Sequence, residues 1–206
     1  MNSALPLLLL QFAYRVRSQE LDFTVTFNAP AGNITICDQP TYVFGDATIP
    51  LTSGTTIQTG GWFTQLEPTV SWTATEGKLY SLLMMDPDAT YCGAGTYLHW
   101  MNLNIAGSDL DSGNVINAYA HPAPPEMRWH RYAILLIEQD DEIVVDDDEI
   151  AELQGRSSFD YLAFMSAHDV APSSELTIDV QLDAFIVQYY DEGAYCSFPE
   201  SCSLVS

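Results

Sequence analysis

The sequence predicts a mainly β single domain with flanking helices, on three observations. Short β-type runs recur between turn signals, two of those runs are apolar on both faces, and helical periodicity appears only late in the chain. In order, the runs are LDFTVTF (21–27), GNITIC (32–37), PTVSWTA (68–74), KLYSLLMMD (78–86), YLHWMNLNI (97–105) and RYAILLIEQ (131–139), with TGG, EGK, GAG and SGN among the breaks. YSLLMM and YAILLI lack the polar alternation of a half-exposed strand, so they belong in the centre of a sheet covered on both sides. The late helical segments are SSFDYLAFMSAH (157–168), with Phe159, Leu162, Ala163 and Met165 on one face behind Ser157 or Ser158 as N-cap, and DAFIVQYY (183–190). Between strand and helix, QDDEIVVDDDEIAEL (139–153) reads as a solvated acidic loop or face.

Residues 1–18 are set apart from this domain. An apolar run over residues 4–14 is too short to span a bilayer comfortably, and Val16 and Ser18 occupy the −3 and −1 positions of a cleavage site before Gln19. The expectation is a signal peptide, then a single domain over 19–206 in a secreted, extracellular protein. Export gives the four cysteines a meaning: Cys37, Cys92, Cys196 and Cys202 form an even set without CxxC or Cys/His metal spacing, which predicts two disulfides. Cys196 with Cys202 would close a local loop and leave Cys37 with Cys92, but mixed pairings tying the tail to the body remain open. Asn33 begins a glycosylation sequon.

Charge excludes several partners. The chain has 28 acidic and 6 basic side chains, a formal net charge of −22, and its cations are Arg15, Arg17, Lys78, Arg128, Arg131 and Arg156. No basic patch is available for nucleic acid or for stable association with an anionic membrane. A single small anion can still be held by a few local donors.

Those donors gather at strand ends. Asp86 closes one strand, His99 lies near the start of the next, and the proline-rich stretch YAHPAPPEMRWHRY (119–132) delivers His130, Arg131 and Tyr132 to a third. Imidazole N–H groups supply donors, a carboxylate orients a ring, and prolines stiffen the walls.

The ordered set DPDA (86–89), LHW (98–100), Y-x-x-P-x-PP (119–125) and HRY (130–132), followed by a strand ending EQ, resembles the phosphatidylethanolamine-binding protein family from about Val70 onward. The resemblance implies a β-sandwich core with a C-terminal helix, and a small pocket for phosphate-type anions or phospholipid head groups. It implies ligand-binding roles for Asp86, His99, His130 and Tyr132, with Pro124 in the wall and Tyr190 closing the pocket, while Asp88 holds the loop. The chain departs from the family pattern at Thr90, at His121, and over Glu126, Met127, Arg128 and Trp129.

The function expected is non-catalytic binding of a small phosphorylated ligand or head group, with modulation of a protease or signalling partner, and no cofactor. Two alternatives use the same residues. A hydrolase would combine Asp86 and His99 with Ser81 or Ser108, though no GxSxG elbow exists; a metal site would use His99, His130 and Asp86, without close i, i+4 pairing. On the binding reading, Asp86 orients one imidazole, affinity for anions rises as the histidines protonate, and loss of either histidine removes about 1.5–3 kcal/mol of binding without disturbing the fold.

Overall fold

The computed structural model describes residues 22–34, 42–58, 63–89, 96–124 and 129–181. Eleven strands and two α-helices occur among them: β1 (Thr24–Ala29), β2 (Gly32–Ile34), β3 (Tyr42–Phe44), β4 (Ala47–Pro50), β5 (Thr55–Gln58), β6 (Thr69–Ser71), β7 (Leu79–Asp86), β8 (Tyr97–Ala106), β9 (Asn114–Asn117), β10 (His130–Gln139), α1 (Asp147–Gln154), α2 (Tyr161–Ala167) and β11 (Ser174–Gln181). A six-stranded sheet runs β5-β11-β10-β7-β8-β9, a three-stranded sheet runs β4-β1-β6, and β2 pairs with β3. The β11–β5 pairing is parallel, and the other described pairs are antiparallel.

The doubly apolar runs are central, as their composition requires. β7 lies between β10 and β8, and β10 between β11 and β7. On one face Tyr80, Leu82 and Met84 of β7 and Tyr132, Ile134 and Leu136 of β10 pack with Val25 and Phe27 of β1, which makes the sandwich interior. On the other, Leu83, Met85, Ala133, Leu135 and Ile137 pack beneath Leu153 of α1 and Phe164 and Met165 of α2. Period-2 alternation thus feeds two cores from the same strands.

Two expectations are corrected. The second half of the acidic run is helical: Asp146 caps α1 by accepting from the Glu149 amide at 2.9 Å, and Asp147, Asp148 and Glu149 sit in the first turn, where the positive end of the helix dipole favours carboxylates. α2 is capped by Asp160, which accepts from the Ala163 amide at 2.9 Å, rather than by Ser157 or Ser158. Starting there rotates the buried face to Phe164 and Met165 and leaves Leu162 and Ala163 exposed. The predicted helix over 183–190, all four cysteines and residues 1–21 lie outside the described residues, as does the Asn33 side chain. Among the described residues, no helix is long and apolar enough to cross a membrane.

Candidate functional site

Asp86 and His130 meet at the end of the six-stranded sheet. Even-numbered residues of β10 face the sandwich interior, so His130 shares a face with Tyr132; Asp86 lies one rung beyond the Ala133–Met85 pair, next to both. His130 Nδ1 is 2.7 Å from Asp86 Oδ2, with both side chains almost wholly buried. The Asp88 amide donates to Asp86 Oδ1 at 2.8 Å, and the Tyr132 hydroxyl is also hydrogen-bonded to this carboxylate. Burial first, then the Asp86 charge and that bond, raise the Tyr132 hydroxyl well above its ordinary value. Tyr132 is therefore committed to Asp86, whereas the sequence suggested a hydroxyl offered to a ligand.

His99 reaches the cluster through a break in the ladder. Met84 pairs with Trp100 and Met85 with Leu98, so His99 is the extra residue of a β-bulge. A bulge re-aims one side chain without ending the strand. The His99 ring packs edge-on against Tyr132 at 5.1 Å and Tyr97 at 4.9 Å. Its Nδ1 lies 2.8 Å from the Ala120 carbonyl, and the Ala120 amide returns a bond to the His99 carbonyl at 2.8 Å. Asp86 thus orients His130, and a backbone carbonyl orients His99.

Both rings have Nδ1 facing an acceptor, so Nδ1 carries the proton in each neutral ring and Nε2 is left as the remaining polar atom. Burial is the main cause that pushes the His99 imidazolium down to about 4; Arg156 and His121 add to it, against the Ala120 bond and the Asp86 charge. The depressed value has a stability consequence. Between about pH 6.5 and 4 the unfolded chain binds a proton that folded His99 refuses, so its contribution is fully present above pH 6.5 and is lost as pH falls toward 4. Urea denaturation at stepped pH should show His99→Gln losing about 3 kcal/mol less than the parent over that interval.

Asp88 ties the turn after β7 to Arg131 at the start of β10. Its Oδ2 accepts from the Arg131 amide at 3.0 Å and Nε at 2.7 Å, and its Oδ1 from Nη2 at 2.5 Å. Burial raises this carboxyl, but the Arg131 bonds outweigh burial and hold it below the usual range. The proline-rich segment is pinned from outside: Tyr119 donates to the Thr64 carbonyl at 2.6 Å, and the buried Thr64 hydroxyl to the Pro122 carbonyl at 3.1 Å. Pro124 is buried, His121 half-buried and Trp129 exposed beside His130, while Tyr190 lies outside the described residues. His168 is elsewhere, joining α2 to α1 through Glu149 at 2.8 Å.

Among the described residues, neither the Ser81 triad nor a metal cluster assembles. Ser81 is buried and donates to Gln139 at 2.6 Å, five residues along β7 from Asp86, about 16 Å away. Among the described residues, no group of three His, Cys, Asp or Glu side chains could hold a metal ion. Sequence reasoning missed Arg156, whose guanidinium donates to the carbonyls of Leu98, His99 and Ala118 at 3.1, 2.9 and 2.7 Å.

A covered sheet ending in a buried carboxylate–imidazole pair, with a second imidazole aimed in by a bulge, is the layout of a small binding domain. The chain belongs to the phosphatidylethanolamine-binding protein family, whose model, described as "Phosphatidylethanolamine-binding protein", matches residues 42–177. It is similar to "Putative odorant-binding protein A5" of Drosophila melanogaster, 31% identical over 112 residues that cover 52% of this chain and 53% of that protein. The chain thus spans about half the length of this curated relative. It also resembles the carboxypeptidase Y inhibitor in the crystal structure with its cognate proteinase, at 17% identity and a TM-score of 0.52, covering 66% of this chain and 79% of that one. At that identity the likeness bears on the fold.

Proposed function

We propose that this protein is a secreted, non-catalytic binding domain that takes a phosphate-type anion, free or as a phospholipid head group, against the Nε2 atoms of His99 and His130. The observation that carries the reading is the commitment of both Nδ1 atoms, to Ala120 and to Asp86, which leaves each ring one polar atom with which to meet a ligand. Family membership supports the ligand class, and the apolar run over residues 4–14 of the sequence is consistent with export.

The same geometry sets a condition on binding. A neutral ring protonated on Nδ1 presents a lone pair at Nε2, which repels an anionic oxygen. Binding therefore brings a proton, either on the ligand as a P–OH group or onto the ring from solvent. Once protonated, each imidazolium makes a charge-assisted bond, stronger than a neutral one. Nothing in this chemistry needs a bond to be broken, and Ser81 is engaged elsewhere.

Calorimetric titration with O-phosphorylethanolamine at pH 6 tests the proposal. Saturable binding by the parent, weakened roughly tenfold or more in His99→Gln, is the expected result, a charged hydrogen bond being worth about 1.5–3 kcal/mol. Equal binding by both proteins, or none by the parent, would remove the assignment.

A further inference from the structure

We propose that Arg156 is the positioning residue of this site: its guanidinium clamps the Leu98, His99 and Ala118 carbonyls and so fixes which nitrogen of the His99 ring carries the proton. The inference rests on the reading of His99 as a ligand-binding group, and it adds the element that sets that group's protonation pattern.

The backbone of Arg156 is the first sign. α1 ends at Gln154, the Arg156 amide donates to the Leu153 carbonyl at 3.0 Å, and Arg156 has φ of 62°. That left-handed conformation after a helix is the place where glycine is least strained and a long side chain is disfavoured. A strained conformation persists where surrounding contacts over-determine it. Those contacts are present: the Arg156 carbonyl accepts from the Leu98 amide at 2.8 Å, while its side chain donates to three carbonyls. One residue thereby grips both ends of the structure that holds the ring, the bulge of β8 and the segment carrying Ala120.

The consequence passes through Ala120. His99 Nδ1 stays protonated because the Ala120 carbonyl stays 2.8 Å away. Two residues before it, Ala118 is held by Arg156 Nη2; the far side of the segment is held independently by Tyr119 and Thr64. Loss of the guanidinium should therefore loosen the Ala120 acceptor without unpinning the whole loop. The charged groups acting on His99 are Asp86, Arg156 and His121, with the Tyr97 and Tyr132 rings in edge contact with it. Of these, Arg156 combines a charge that opposes His99 protonation with bonds that fix its backbone.

The test is ring-nitrogen NMR of histidine-labelled protein without ligand, so that it succeeds or fails independently of whether any anion binds. The parent should show His99 as a single Nδ1–H tautomer, remaining neutral down to about pH 4. Arg156→Gly, which relieves the left-handed strain, and Arg156→Gln should both show a mixture of tautomers at His99. Arg156→Lys keeps the charge without the planar fork, so it should mix the tautomers as well. Denaturation of each variant is recorded beside the spectra. Folded variants of lowered stability whose His99 tautomer matches the parent would show a merely structural role and overturn the proposal. Should the glycine and glutamine variants fail to fold, a parent-like tautomer in Arg156→Lys overturns it equally.

Discussion

Replacing His130 with alanine should destabilise the folded protein by about 1–3 kcal/mol, the usual cost of leaving a buried hydrogen-bonding group without its partner. Asp86 is 2% exposed and His130 5%, so no solvent takes the place of the lost imidazole. The Asp88 amide and the Tyr132 hydroxyl remain, yet the carboxylate loses the imidazole N–H that lies 2.7 Å away. Such a loss is an appreciable share of a domain's typical stability of about 5–15 kcal/mol. This changes the expectation from sequence, in which His130 could be removed with the fold intact: an imidazole that binds from a surface loop is expendable, and one that hydrogen-bonds a buried carboxylate is not. Asp86→Asn in the same background should recover part of the loss, because an uncharged amide costs less to bury without that donor. Equilibrium denaturation of the two single variants and the double variant checks this; equal stability of His130→Ala and the parent would mean that the pair contributes nothing.

The second large effect is on pH dependence. Sulfate remains a dianion across the neutral range and cannot bring its own proton. Every proton required at the rings must then come from solvent, and the affinity for sulfate should rise at least tenfold for each unit that pH falls between 8 and 6, one proton per anion being needed for His99 alone. The sign follows from the depressed His99 value: the free ring is neutral throughout that range, and the bound ring is charged. A flat affinity across those two units would mean that the anion meets donors which do not titrate, and the protonation scheme would fail.

Much of the architecture was legible because burial on both faces leaves a compositional mark. The runs that became β7, β8 and β10 are nearly free of charge, and their motifs placed Asp86, His99, His130 and Tyr132 at strand ends. β11 was missed, although SELTIDVQ alternates cleanly and buries Leu176, Ile178 and Val180. Its signal was present and overshadowed by the neighbouring helices. α1 was hidden for a different reason: carboxylates that stabilise a helix start look, by composition, like those of a solvated loop. No local pattern shows a bulge, since it depends on which residue of β7 faces which residue of β8; the route by which His99 reaches Asp86 appears only in the paired ladder. Arg156 is similar. Its three acceptors lie 38 to 58 residues away in sequence, and nothing in GRSSF marks it as more than a helix end.

The central claim is that the Nε2 atoms of His99 and His130 meet the anion, and it is tested most directly by titrating sulfate into histidine-labelled protein at pH 7 while observing each ring nitrogen. Conversion of His99 Nε2 from unprotonated to protonated as sulfate saturates, with His130 shifting over the same concentrations and His168 unchanged, is the predicted result. Ring spectra of His99 and His130 that stay fixed through saturation would contradict it.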